Sequence, residues 1–233
     1  MPNLLDNFED YERIIEEHEN GNIIDLKINS SPTCLLALIQ YCRGNNVDFH
    51  PYELSNLISI RNNNEELKDE LYSLLDSNFG GEFLLRFIIN EITNNIDEHS
   101  HCLNSYFLWK EYEDQIELSF IDDGISIPKS LENAGIFFKN DCDAINKAIN
   151  GASEDRTNEL LRGYGLNSSA NLVVRGNNGS ILIISRKGLL HIDKYEKKFK
   201  ELKNNYIQGT LVSVLINKSM VKDFYTYMEH IKI

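Results

Sequence analysis

Basic residues are in short supply. Against 36 aspartates and glutamates stand 23 lysines and arginines, a formal net charge of −13. A surface so charged repels polyanions over most of its area, which argues against a broad electrostatic grip on nucleic acid. Cysteine is also scarce. The four present (Cys34, Cys42, Cys102, Cys142) are scattered without a C-x-x-C pair, and no apolar N-terminal stretch follows a basic start. That pattern fits a reducing cytoplasm. The longest apolar runs are strand-sized and broken by charge, far short of the roughly 20 residues a membrane-spanning helix needs. No internal repeat and no low-complexity tract is present.

What is there is a chain of 233 residues, enough for one ordinary domain with an appendage or for two small units, and long enough to bury a core. Residues 8–19 read as a surface helix carrying Tyr11, Ile14 and Ile15. The alternation over 23–28 predicts a strand, and Ser31-Pro32 opens an apolar helix through Leu35, Leu36, Leu38 and Ile39, together one βα unit. A helix through Leu67, Leu71, Leu74 and Leu75 ends before Gly80-Gly81. That glycine pair marks the expected boundary between an N-terminal segment, 1–79, and a main domain, 80–233.

The main domain opens with a long amphipathic helix from Glu82 to about His99, followed by strands at 106–112 and 115–121. Residues 129–162 contain one helical stretch, Asp143 to Asn150, and otherwise read as a polar, irregular connector. A connector of that length is usually functional or mobile. Beyond Gly165 come a short helix, strands at 180–185 and 189–192, a lysine-rich segment near 194–204, a strand at 210–216 and a terminal helix with Phe224, Tyr227 and Met228.

Four short boxes fall on these elements in a fixed order: Glu91-Ile-Thr-Asn-Asn95, Asp122-Asp123-Gly124-Ile125-Ser126-Ile127-Pro128, Gly163-Tyr164-Gly165-Leu166 and Gly209-Thr210. Glu91 and Asn95 lie one helical turn apart beside an apolar stripe, so their side chains meet on one face. The amide suits Mg²⁺ carrying substrate phosphates, and the carboxylate suits a base or an orienting group. A carboxylate at a strand end, Asp122, can accept from an exocyclic amine such as that of adenine, and Gly124 permits close backbone approach. Gly163 and Gly165 lead into a helix whose N–H groups can cradle phosphate, with Arg162 adding charge. Taken singly, each has an ordinary reading: a solvated helix flank, an Asp-Gly turn, a plain loop. Asp97, His99, His101 and Cys102 lie close together but match no zinc spacing and read as helix-end residues.

Assembled, the boxes resemble those of the GHKL superfamily, the gyrase, heat-shock chaperone, histidine kinase and MutL ATPases, over about residues 80–217. The resemblance implies a Bergerat-type α+β sandwich, a mixed sheet covered by helices, preceded here by a small N-terminal βα segment. It implies ATP and Mg²⁺ as cofactors, with Asn95 the metal ligand, Glu91 catalytic, and Asp122 the reader of adenine. Gly124 belongs to the adenine box, Arg162, Gly163, Gly165 and Leu166 to the phosphate lid, and Thr210 to the late strand. Ser126 departs from the pattern, which places a second glycine there. The stretch Asn94 to Ser100 is similar to the box of anti-sigma-factor serine kinases and related stand-alone ATPases, some of which follow a STAS-like segment. Residues 1–79 would then be a reduced STAS-like remnant. The expected function is hydrolysis of ATP or transfer of its γ-phosphoryl to Ser or Thr of a regulatory protein partner. The alternative is a non-catalytic module whose nucleotide occupancy controls a partner surface. A homodimer is compatible with either; direct nucleic-acid binding and a membrane are not expected, nor is an ordinary sensor histidine kinase.

Overall fold

The computed structural model describes residues 2–21, 24, 30–47, 57–60, 82–151, 165–203 and 206–218. The expected strand at 23–28, the helix through Leu67 to Leu75, the Gly80-Gly81 pair, the Arg162-Gly163 dipeptide and the terminal helix lie outside the described residues.

Helix α1 (Leu4–Glu19) starts where Asn3 caps it by accepting from the Leu5 N–H, and it buries Leu4, Phe8, Tyr11 and Ile15. Those positions recur every three or four residues, one stripe of a 3.6-residue period. Helix α2 (Pro32–Gly44) is capped by Ser31, carries proline in its first turn and is buried almost all round. An all-round apolar helix needs cover on both sides, and α2 finds it between α1 and the sheet.

The sheet has seven strands: β1 (Ile58–Ser59), β2 (Ser105–Glu111), β3 (Gln115–Asp122), β4 (Ser180–Arg186), β5 (Gly188–Ile192), β6 (Lys197–Glu201) and β7 (Ile207–Asn217). Their order is β1-β2-β3-β7-β4-β5-β6. The expected α+β sandwich is present, with one correction: every described pairing is antiparallel, so the sheet is not mixed. The reason is the place of β7. β3 and β4 do run in the same direction across a helical crossover, but β7 inserts between them antiparallel to both.

Both faces of the sheet are dry. Leu118, Phe120, Ile181, Ile183, Val212 and Val214 pack against α3 (Glu82–Asn95) and the helices of the crossover. Ile121, Leu182, Ile184, Leu211 and Leu215 pack against α1 and α2. Six helices among the described residues thus enclose the sheet from two sides. The strands read as unbroken apolar runs for this reason.

The described part of the connector, residues 129–151, is better anchored than its polarity implies. It holds two helices, α4 (Ile127–Asn133) and α5 (Asp141–Ile149), and Pro128, Leu131, Ala144, Ile145 and Ile149 are buried. Few apolar residues suffice because helical spacing puts them all on one face.

One buried acid joins the back helices to the sheet. Glu117 on β3 is fully buried and accepts from the Thr33 N–H at 2.9 Å, the Thr33 hydroxyl at 2.7 Å, the Asn7 amide at 2.9 Å and the Tyr112 hydroxyl at 2.8 Å. Burial pushes its carboxyl up, and those hydrogen bonds pull it back down only in part.

Candidate functional site

Helix α3 does not stop at Asn95. It runs into a π-helical turn, Ile96–Ser100, that ends at His101 in the left-handed region with φ 49°. Such wide turns often mark functional places in helices. The turn brings the Ser100 carbonyl against the end of β3, where it accepts from the Ile125 N–H at 2.6 Å. A β-carbon on Gly124 would lie 2.0 Å from that same oxygen. The close approach that Gly124 permits is therefore to helix α3's end.

Between this turn, β3, β7, α4 and α6 (Gly165–Asn171) lies a cavity of about 160 Å³. Its walls are apolar, from Ile96, Phe120, Ile127, Leu131 and Val212, and its polar groups come from distant parts of the chain: Asn95, Asp122 and Thr210. Gly165 and Leu166 close another side, and His99 and Ser100 contribute at the π-turn.

Asp122 is only 4% exposed. Its Oδ1 accepts from the Gly124 N–H at 2.9 Å, and Thr210 across the β3–β7 ladder adds a second backbone donor. Burial dominates nonetheless and, helped by neighbouring Asp123, pushes the carboxyl up to about 7. Asp123 itself does other work: it accepts from the Leu103 and Asn104 N–H groups, both at 2.8 Å, and pins the β2 start. Of the two adjacent acids only Asp122 lines the cavity.

The late box acts through a glycine. Gly209 has φ 76°, and a β-carbon there would stand 2.0 Å from the Asp122 carbonyl oxygen. Glycine lets β7 hug the end of β3 and sets Thr210 opposite Asp122. Behind them sits Ser185, fully buried at the end of β4 and absent from the boxes read in sequence. Its hydroxyl donates to the Gly209 carbonyl at 2.8 Å, accepts from the Ile127 N–H at 2.9 Å and lies 3.1 Å from the Thr210 hydroxyl. With the Ser185 proton spent on Gly209, the Thr210 hydroxyl is the donor to Ser185, leaving its lone pairs free. A serine closing an apolar strand was the available signal.

Ser126, where the resemblance expects glycine, caps α4. Its backbone is extended at φ −70°, ψ 161°, and its side chain accepts from the Lys129 N–H at 3.3 Å. No glycine is required at such angles, and serine supplies a cap that glycine lacks.

Glu91 and Asn95 meet at Gly165. A β-carbon on Gly165 would be 2.0 Å from Glu91 Oε2 and 3.7 Å from Asn95 Nδ2. Half-burial and the nearby Glu98 raise the Glu91 carboxyl above its ordinary range. The structure brings together Asn95, Asp122, Gly165, Leu166 and Thr210 around one cavity, with Glu91 at its Gly165 edge. Gly124 supports the wall, and Arg162 and Gly163 fall outside the described residues. Among the described residues, no group of three or more His, Cys, Asp or Glu is arranged to hold a metal ion. No helix of the described residues is long and apolar enough to cross a membrane. Compared with protein-family models and with curated proteins, the chain matches none.

Proposed function

We propose that this protein binds Mg-ATP in a GHKL-type site and uses it either for hydrolysis or for phosphorylation of a protein partner on Ser or Thr. The observation that carries this reading is the convergence of Asn95, Asp122, Gly165 and Thr210, from four separate segments, on one apolar cavity. The cavity is smaller than the about 300 to 1,000 Å³ of pockets that enclose a whole drug-sized ligand, so it suits the base of a nucleotide, with the phosphates directed toward Gly165.

In this reading the ionised Asp122 accepts from the adenine amine, an arrangement favoured because the apolar walls exclude competing water. The Thr210 hydroxyl, aimed by Ser185, offers a further acceptor. The amide of Asn95 is of the neutral oxygen type that Mg²⁺ accepts alongside substrate phosphates, and its place beside Gly165 fits that use. Mg²⁺ there would neutralise phosphate charge. Glu91, its carboxyl raised by half-burial, is suited to take a proton from water or a hydroxyl. The backbone N–H groups at the start of α6 would face the phosphates.

Titration of the protein with Mg-ATP, followed by a phosphate-release assay on the same sample, tests the reading. Saturable binding with turnover supports it, binding without turnover under any partner condition transfers support to the nucleotide-dependent regulatory module, and no binding removes both.

A further inference from the structure

The sheet ends, among the described residues, at β6, and that edge has an unusual composition. Its five residues read Lys197-Lys198-Phe199-Lys200-Glu201, with Phe199 42% exposed. Lysines on an edge strand commonly guard it against pairing. An exposed phenylalanine at the centre does the opposite.

The register shows which backbone groups are open. The Leu202 N–H donates to the Lys187 carbonyl and the Asp193 N–H to the Glu196 carbonyl, which marks these two pairs as hydrogen-bonded positions at the ends of the β5–β6 register, while the Lys187 and Glu196 N–H groups donate to Asp141 Oδ2 and Asp193 Oδ1. Hydrogen-bonded pairs alternate along an antiparallel ladder. Lys198 and Lys200 are therefore bonded to β5, and the N–H and C=O groups of Lys197, Phe199 and Glu201 point to the outer edge. The side chains of those same three residues lie on the α5 face, where Lys197 donates to Asn146 Oδ1 at 2.7 Å.

The geometry points to a symmetric dimer in which β6 of one copy pairs antiparallel with β6 of a second copy about a two-fold axis at Phe199. In that register the outward-pointing residues form the new hydrogen-bonded pairs. Phe199 meets the second copy's Phe199, and Lys197 meets its Glu201 on both sides of the axis. Every cross-strand pair on this face is matched, as aromatic with aromatic or as opposite charges. On the other face Lys198 meets Lys200, and each Lys200 is already held by its own Glu12 at 2.6 Å, which offsets the like charges. A two-fold contact must be self-complementary, and the order of charges about Phe199 meets that condition. The contact is independent of the nucleotide reading.

Two five-residue strands bury less than the about 1,200 Å² of a standard interface, so the dimer is expected to depend on concentration. Sedimentation velocity of the full chain from about 1 μM to about 1 mM should show conversion from monomer to dimer. Lys197→Glu sets Glu against Glu201, and Glu201→Lys sets Lys against Lys197; each should weaken the dimer at least about tenfold, and the double swap Lys197→Glu/Glu201→Lys should restore it. Circular dichroism checks that each variant is folded. In a second measurement, Phe199→Cys should cross-link to itself under mild oxidation, because hydrogen-bonded partners lie about 5.5 Å apart at Cα, within disulfide range; Leu103→Cys, exposed elsewhere, should not. A parent that stays monomeric at the highest concentration, as expected if the edge serves a different partner, overturns the proposal. So does a dimer indifferent to both single reversals.

Discussion

Folding favours the protonated form of Asp122, whereas the proposed binding role asks for the ionised one. Its carboxyl titrates near the ordinary 3.8 when unfolded and at about 7 when folded. Between those values the folded chain holds a proton that the unfolded chain has lost, so stability is full below about pH 4 and falls as pH rises through about 7. Asp122→Asn should therefore match the parent in urea midpoint at pH 4 and exceed it at pH 8, by roughly 1 to 3 kcal/mol. The same substitution should weaken ATP binding by about 1.5 to 3 kcal/mol, the range for a charge-assisted hydrogen bond. Calorimetric titration at pH 6 and pH 8 reads both effects: parent affinity rises with pH, and the variant's stays flat and low. Equal affinities would take Asp122 out of the site. On the facing helix the roles separate: Asn95→Ala should abolish the Mg²⁺ dependence of binding, whereas Glu91→Ala should leave binding nearly intact and lower turnover by roughly 10²- to 10⁴-fold. A Glu91→Ala variant that turns over ATP like the parent would exclude Glu91 as base.

At the scale of elements, α4 and α5 are packed parts of the front layer, since Leu131, Ala144 and Ile145 are almost wholly buried. Amide exchange should show the same protection over residues 127–149 with and without a non-hydrolysable ATP analogue. Added protection should instead appear over 165–171, where Gly165 touches Glu91. A nucleotide-dependent change spread over α4 and α5 would mean that these helices move as a lid. On the opposite face, Glu117 gathers donors from α1, α2 and Tyr112 just beyond β2. Glu117→Ala strands them in a dry layer and should cost about 3 kcal/mol or more, with loss of protection in α1 and α2 ahead of the sheet. A change below about 1 kcal/mol would show that water reaches those groups.

For the molecule as a whole, the two N-terminal helices share a core with the sheet. Phe8, Tyr11, Leu36 and Leu38 face Leu182, Ile184, Leu211 and Leu215, and each fully buried side chain contributes about 1.5 to 3 kcal/mol. A fragment beginning at residue 80 should expose that face and aggregate or bind a hydrophobic dye strongly, whereas the full chain should not. A monomeric, cooperatively folding fragment would show that the sheet stands without its back layer.

Local pattern was sufficient for much of this. The caps at Ser31 and the apolar periods of α1, α2 and α3 act within a few residues, and so does the turn between β2 and β3; their positions could be read before any contact was known. The placement of Asn95 on a helix and of Asp122 at a strand end was equally visible, and the structure sets both on one cavity. Three things needed the third dimension. β7 enters between β3 and β4, a choice among strand partners more than 20 residues apart in sequence that no local period encodes. The burial of α4 and α5 depends on a few apolar residues meeting a face built elsewhere. Ser185 aims Thr210 only because β4 and β7 are neighbours. The division follows from the range of the forces: propensity and capping act along the chain, whereas desolvation, cavity shape and cross-strand hydrogen bonds exist only once distant segments have excluded water between them.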